Sequence, residues 1–235
     1  GYLRHPGSLL LRLLCVLSAV ITGGVLLLVA GYVLCKGIPY LKPSMFAPVY
    51  NSENVSMLPA LFNTIWMTLL SLAIAAPLGV GGAIYLVEYA PRKSRLVQLV
   101  RVTAETLSGI PSILYGLFGM IFFVTTLRWS YSLLSGALTL AIMVLPLILR
   151  TTEEALLAVP DSYREGSLAL GAGKLRTVMK VVLPPASGGI FAGIILATGR
   201  IVGETAALIY TAGTVAQFAV NPMSSGSTLA VHVYV

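Results

Sequence analysis

Asn63 to Ala90 reads NTIWMTLLSLAIAAPLGVGGAIYLVEYA, and it carries no charged side chain before Glu88. Roughly 20 residues of helix cross a hydrocarbon core of about 30 Å, so this run is long enough to span a membrane. Working outward, comparable apolar blocks occur at about 10 to 35, 102 to 127, 133 to 157 and 187 to 214, beside this one at about 60 to 88. The pattern predicts an all-α integral membrane protein, a polytopic helical bundle of about five spanning helices. Composition agrees: 10% of the 235 residues are charged, against about 25% in an average soluble domain.

The chain has 15 Lys and Arg against 8 Asp and Glu, a formal charge of +7. The basic residues lie mostly in loops between apolar blocks, so they report topology and not a nucleic-acid surface. Arg4 and Arg12, then Arg92, Lys93 and Arg95, then Arg164 to Lys180 with Lys174 and Arg176, mark three cytoplasmic regions and a cytoplasmic amino terminus. The other loops hold Lys36, Lys42 and Arg128. The first block lacks a small-residue cleavage site and is expected to be a retained helix. Cys15 and Cys35 would lie about 30 Å apart along that helix and cannot bridge. Residues 1–62 therefore read as a first transmembrane helix with its external loop, and 63–235 as the transmembrane domain. Leu229 to Val235 looks like the start of a further element, and a sixth helix is expected beyond it.

Small residues recur four apart in Gly189, Gly193 and Ala197, in Gly199, Gly203 and Ala207, in Ala75, Gly79 and Ala83, and in Ser112 and Gly116. This spacing lets helices approach closely in lipid and predicts a packed bundle. Pro77, Pro111 and Pro146 each remove a backbone donor inside an apolar block, so kinks or breaks are expected there.

Val159 to Ala186, VPDSYREGSLALGAGKLRTVMKVVLPPA, is amphipathic but too polar to enter the membrane. It predicts two short helices around a glycine turn, forming a lever between two spanning helices. Ser162 and Glu165 have capping-box spacing at its start, and Gly171 and Gly173 end the first helix. A second helix from Lys174 to Val182 is expected to stop before Leu183, Pro184 and Pro185.

This segment resembles the cytoplasmic loop of ABC importer permeases, which carries Glu, small residues, a Gly six positions on, and an apolar residue before Leu-Pro. The matching positions are Glu165, Gly166, Ser167, Gly171, Val182, Leu183 and Pro184. Gly166 and Ser167 stand where two alanines are usual. AETLSGIPSILYGLFG (Ala104–Gly119), LPLILRTTEEALLAVP (Leu145–Pro160) and RIVGETAALIYTAGT (Arg200–Thr214) extend the likeness to the A-type (PstA type) permease of phosphate ABC importers, with the C-type sister as the near alternative. The resemblance covers most of Asn63 to Val235. It implies a type I ABC importer permease-like fold in a bacterial cytoplasmic (inner) membrane, and a loop that docks on a separate ATP-binding subunit dimer. Its other implied partners are a C-type sister permease and a periplasmic phosphate-binding protein. Sulfate, tungstate or phosphonate are the other cargoes open to such a path.

Independently of the resemblance, RxxxE recurs at Arg101/Glu105, Arg150/Glu154 and Arg200/Glu204. On a helix this spacing sets both side chains on one face. Arg200 and Glu204 fall near the middle of the fifth block, where a charge costs roughly 2.5 to 3.5 kcal/mol. A planar guanidinium can bind two phosphate oxygens while staying charged, so Arg150 and Arg200 are candidate path residues with Glu154 and Glu204 as exchangeable counter-ions. The competing reading is permanent ion pairs, favoured for Arg101/Glu105. Ser112, Tyr115 and Thr205 could add hydrogen bonds.

Gly171-Ala172-Gly173-Lys174-Leu175 falls short of a phosphate-cradling GxxxxGK[ST] loop, so ATP hydrolysis is expected in another subunit. No metal or nucleophile motif appears, and no cofactor, metal or nucleic acid is expected. The alternative class is an ion-driven secondary transporter or channel for an inorganic anion. A cytoplasmic docking lever separates the two.

Overall fold

Lipid offers no hydrogen bonds, so apolar runs of this length must close their backbone bonds within each segment. In the computed structural model they do so as helices. The structure describes residues 6–48, 50–51, 54–91 and 94–235; Arg4, Arg92 and Lys93 of the charge reading lie outside these. The chain divides into two units, Gly1–Phe46 and Ala47–Val235. The first contains α1 (Pro6–Gly37) and two single 3-10 turns, Ile38–Tyr40 and Pro43–Phe46.

The second unit holds α2 (Leu58–Ile84), which runs on through a π turn at Tyr85–Tyr89, then α3 (Arg95–Ser108) and α4 (Ser112–Gly119) with a π turn at Met120–Thr126. There follow α5 (Leu133–Leu157), the short helices α6 (Asp161–Ala169) and α7 (Lys174–Thr177), a π turn at Val178–Val182, and α8 (Leu183–Val202). A single turn α9 (Ala206–Ile209) and α10 (Leu229–Tyr234) complete it. Among the described residues four helices are long and apolar enough to cross a membrane, or five when α3 and α4 count as one broken span. This agrees with the expected helical bundle.

The third span, expected over 102 to 127 with a kink or break at Pro111, is two helices meeting at 102°. Gly109 caps α3, and Pro111 forces the chain ahead of it out of helical geometry. Tyr115 bridges the corner by donating its hydroxyl to the Leu107 carbonyl at 2.8 Å. Pro77 and Pro146, by contrast, sit inside continuous helices, so the breaks expected at these two positions are absent. Each costs one backbone bond; Pro146 is buried and Pro77 is exposed.

Close approach at small residues builds the core. A Cβ at Gly79 of α2 would stand 2.8 Å from Ile148 Cγ2 of α5, and one at Gly189 of α8 would stand 2.6 Å from Ala155 Cβ. One at Gly193 would collide with Thr151. Gly116 of α4 lies equally close to Ala207, where an added Cβ would be 2.7 Å from the Ala207 Cα. Three of the four expected stripes thus mark helix contacts; Gly199 and Gly203 of the other meet no neighbouring helix. Met67, Leu140, Val144, Ile148 and Leu208 fill one buried cluster, and Leu86, Val97, Leu156, Val182 and Ile190 fill a second toward the end where α2 and α5 finish.

Polar side chains within the spans bond inward. Thr64, Thr68, Ser71, Thr139, Thr151 and Thr198 each donate to the carbonyl four residues back. At the end where α2 and α5 begin, buried Asn63 donates to the Gln217 and Ser227 carbonyls at 2.8 and 3.1 Å and accepts from the Ala219 amide at 3.0 Å. This pins the irregular stretch between α9 and α10 onto α2, while Leu133 and Leu134 amides donate to Ser224 and Pro222 carbonyls.

Candidate functional site

The loop from Val159 to Ala186 forms the expected pair of short helices around a glycine turn. Gly171 takes φ +82, a left-handed conformation that glycine adopts without a Cβ penalty. The Gly171 amide bonds the Leu168 carbonyl and the Ala172 amide bonds that of Ser167, a Schellman closure of α6. The Ser167 hydroxyl meets that of Thr177 at 2.9 Å and ties α6 to α7.

Two expectations fail here. The capping box is absent: α6 starts one residue before Ser162, Pro160 stands at its N-cap, and no side chain caps it. The first turn instead carries Asp161, whose charge suits a helix amino end. Nor does the second helix stop before the prolines. It passes through the π turn at Val178–Val182, where the Leu183 amide bonds the Val178 carbonyl, straight into α8; Pro184 and Pro185 follow directly and supply no amide to the ladder.

Outward from the bundle, α6 presents Tyr163, Glu165, Gly166 and Leu170; Leu170 is 91% exposed. Leu183 is half-buried against the second apolar cluster, and Pro184 is exposed. The seven resemblance positions therefore split between the outer face of the lever (Glu165, Gly166, Gly171), its internal clasp (Ser167) and its root where the π turn enters α8 (Val182, which is buried, Leu183 and Pro184).

Sequence reasoning passed over the residue that roots the lever. Arg164 Nε and Nη2 donate to Glu88 Oε1 at 3.0 and 2.8 Å, and its other hydrogen bonds reach the Leu156 carbonyl at 2.8 Å, the Val159 carbonyl at 2.7 Å and Asp161 at 3.3 Å. Side-chain exposure is 15% for Arg164 and 7% for Glu88. Removing one partner of so buried a pair costs about 3 to 5 kcal/mol. Lys174 adds a cation–π contact with Tyr89, its Nζ 5.1 Å from the ring centre. These groups border a cleft of about 680 Å³, lined by Leu86, Glu88, Arg101, Pro160, Arg164 and Lys174 among others.

The three RxxxE pairs meet three different fates. Arg150 does bond Glu154, at 3.2 Å, and also reaches Glu105 on α3 at 3.5 Å. Arg101 pairs with Glu153 of α5 and not with Glu105. Arg101, Glu105, Arg150, Glu153 and Glu154 thus form an alternating-charge patch between α3 and α5, bordering a cavity of about 240 Å³. Glu153 was missed because its partner lies on another helix.

Arg200 and Glu204 do not share a helix face. α8 ends at Val202 with Gly203 as its cap, and Glu204 lies beyond it, buried, accepting the Ala207 amide at 3.1 Å at the start of α9. Gly193 faces Thr151 and Gly189 faces Ala155, so α5 and α8 are antiparallel. Carried on, that register sets Arg200 level with Val144, near the midpoint of α5. Half-buried Arg200 has no carboxylate partner among the described residues, although Tyr115 lies within its electrostatic reach. A helix that stops halfway across a bundle exposes backbone groups at depth, which lipid tolerates only inside protein or along a watered cavity. Of the other hydrogen-bond candidates, Thr205 stands between the broken ends.

The family model described as binding-protein-dependent transport system inner membrane component matches residues 75–229, which take in the lever, the charged patch and the end of α8. The chain belongs to this family. As a multi-pass membrane component of a transport system, it is similar to the probable ABC transporter permease protein YqgI of Bacillus subtilis, at 41% identity over 74% of this chain and 63% of the relative. It is also similar to the phosphate transport system permease protein PstA 1 of Mycobacterium tuberculosis, 39% identical over 66% of this chain and 50% of the relative. PstA of Xylella fastidiosa is 37% identical over 75% and 62%. The chain spans between half and two thirds of the length of these curated relatives.

Proposed function

We propose that this component is the transmembrane permease subunit of an ATP-driven inorganic phosphate importer of the bacterial inner membrane, amino terminus inside. The observation that carries the reading is the lever. Nothing within 4 Å of Gly166 would obstruct a Cβ, so the bundle itself does not require a small residue there. Close approach by a second protein does, and the resemblance identifies that protein as an ATPase subunit dimer. Glu165, Gly166, Ser167, Gly171, Leu183 and Pro184 form the coupling element, with Glu165, Gly166 and the turn at Gly171 on the docking face, Ser167 as the clasp behind it, and the last two where the lever enters α8. Hydrolysis of ATP belongs to that partner.

The relatives named as phosphate transport permeases support phosphate as cargo. In this reading a binding protein delivers the anion from outside, and a C-type sister permease completes the path. Arg200 waits at mid-depth with its charge unneutralised, which suits an anion that must shed water on entry. Glu204 repels the same anion and favours its onward movement, and Arg150 with Glu154 lines the path nearer the cytoplasmic mouth.

The test is ATP hydrolysis by the reconstituted complex, with its binding protein loaded in turn with phosphate, sulfate or tungstate. Stimulation by phosphate alone is expected. Stimulation by another anion alone would discard phosphate, and co-purification without any ATPase would move the chain to the ion-driven class.

A further inference from the structure

A lever transmits force only if it is fixed to what it moves, and α6 has no buried side chain to fix it. Its amino end lacks a side-chain cap and its carboxyl end turns at Gly171. What joins α6 to the spans is polar. Arg164 reaches the carbonyls of Leu156 and Val159, at and just past the end of α5, with Nη2 and Nη1. With Nε and Nη2 it holds Glu88, in the π turn that ends α2. Three edges of one planar guanidinium are used, a geometry that a lysine ammonium cannot copy.

The second half of the lever is tied to the same place. Lys174 of α7 lies over Tyr89, the neighbour of Glu88, and Ser167 clasps Thr177. Both side chains of the ion pair are largely covered by this chain alone, so the link does not wait for a partner subunit.

We infer that Arg164 and Glu88 are positioning residues that make the lever, the end of α5 and the end of α2 one rigid piece, so that a push on α6 moves α2 and α5 together. The inference rests on the coupling function above. Neither residue touches ATP or anion. Without the pair, α6 pivots about Pro160 and Gly171, and the partner's motion is spent in the loop.

Two readouts on the full complex in nanodiscs and proteoliposomes test it, with Cys15 and Cys35 replaced by serine and spin labels at Tyr85 and Leu170. In the otherwise native chain the distance distribution between the labels is expected to be single and unchanged by a non-hydrolysable ATP analogue. Glu88→Gln, which keeps the side-chain shape and leaves the bonds from Arg164 to α5 intact, is expected to broaden it, and Arg164→Lys to broaden it further. In the unlabelled variants the phosphate moved per ATP is expected to fall about tenfold while the ATPase still co-purifies at the native level. Native-like distances and coupling in both variants would overturn the inference. So would failure of both to assemble, which would make the pair a determinant of folding. If the native complex moves no phosphate, the functional reading fails, and the label distances still decide whether the pair makes one rigid piece.

Discussion

Two arginines of this chain show what burial does to the same side chain. At the root of the lever, Arg164 has every edge of its guanidinium occupied and Glu88 beside it. Midway along the bundle, Arg200 precedes a glutamate by four residues and yet has no carboxylate partner among the described residues, because the helix ends between them. A satisfied arginine fixes structure. One kept at depth without a counter-ion, at a cost of roughly 2.5 to 3.5 kcal/mol, is available to an anion.

The largest expected effect follows from breaking that contrast at Arg200. Arg200→Gln should lower radiolabelled phosphate uptake into proteoliposomes by on the order of 100-fold, the loss of a charge-assisted contact of about 3 kcal/mol, while the complex still assembles. Uptake at the native rate would place Arg200 with the structural arginines. Arg150 is intermediate, since it is exposed and already holds Glu154 and Glu105. Arg150→Gln is expected to reduce uptake about tenfold, with the deficit narrowing as salt is raised and screens the exposed Arg150 charge of the native chain.

Asn63 offers a test at the opposite end. Asn63→Ala would leave the buried Ala219 amide and two carbonyls without their partner, costing about 1 to 3 kcal/mol, and should lower the thermal midpoint of the purified complex by several degrees. The smallest effect is expected at Ser167→Ala, which removes one hydroxyl contact inside the lever worth about 1 kcal/mol. Uptake should stay within about twofold of native, because Arg164 still roots the helix.

Much of this architecture is legible in the residues, for a physical reason: the solvent is lipid, and lipid demands long uncharged helices. The bounds of α5 agree with the block at 133 to 157, and the lever's two helices follow from one glycine turn. The break at Pro111 was harder to separate from Pro77 and Pro146, where the chain stays helical. Gly109, two residues ahead of Pro111, is the difference. The end of α8 was concealed because Gly199, Gly203 and Ala207 imitate a packing stripe, whereas Gly203 followed by Glu204 and Thr205 is a stop and a new start. The bond between Arg150 and Glu154 was legible from helical spacing because it is local. Arg164 with Glu88, 76 residues apart, and Arg101 with Glu153 were not, since spacing along one helix says nothing about partners across two.

The claim on which the rest depends is that ATP, acting through the lever, drives phosphate past Arg200. The direct measurement is phosphate uptake by proteoliposomes bearing the native complex and its binding protein, with ATP supplied and all proton and sodium gradients collapsed by ionophores. Uptake that persists without gradients and stops without ATP is the expected result; uptake that needs a gradient and ignores ATP would contradict the account.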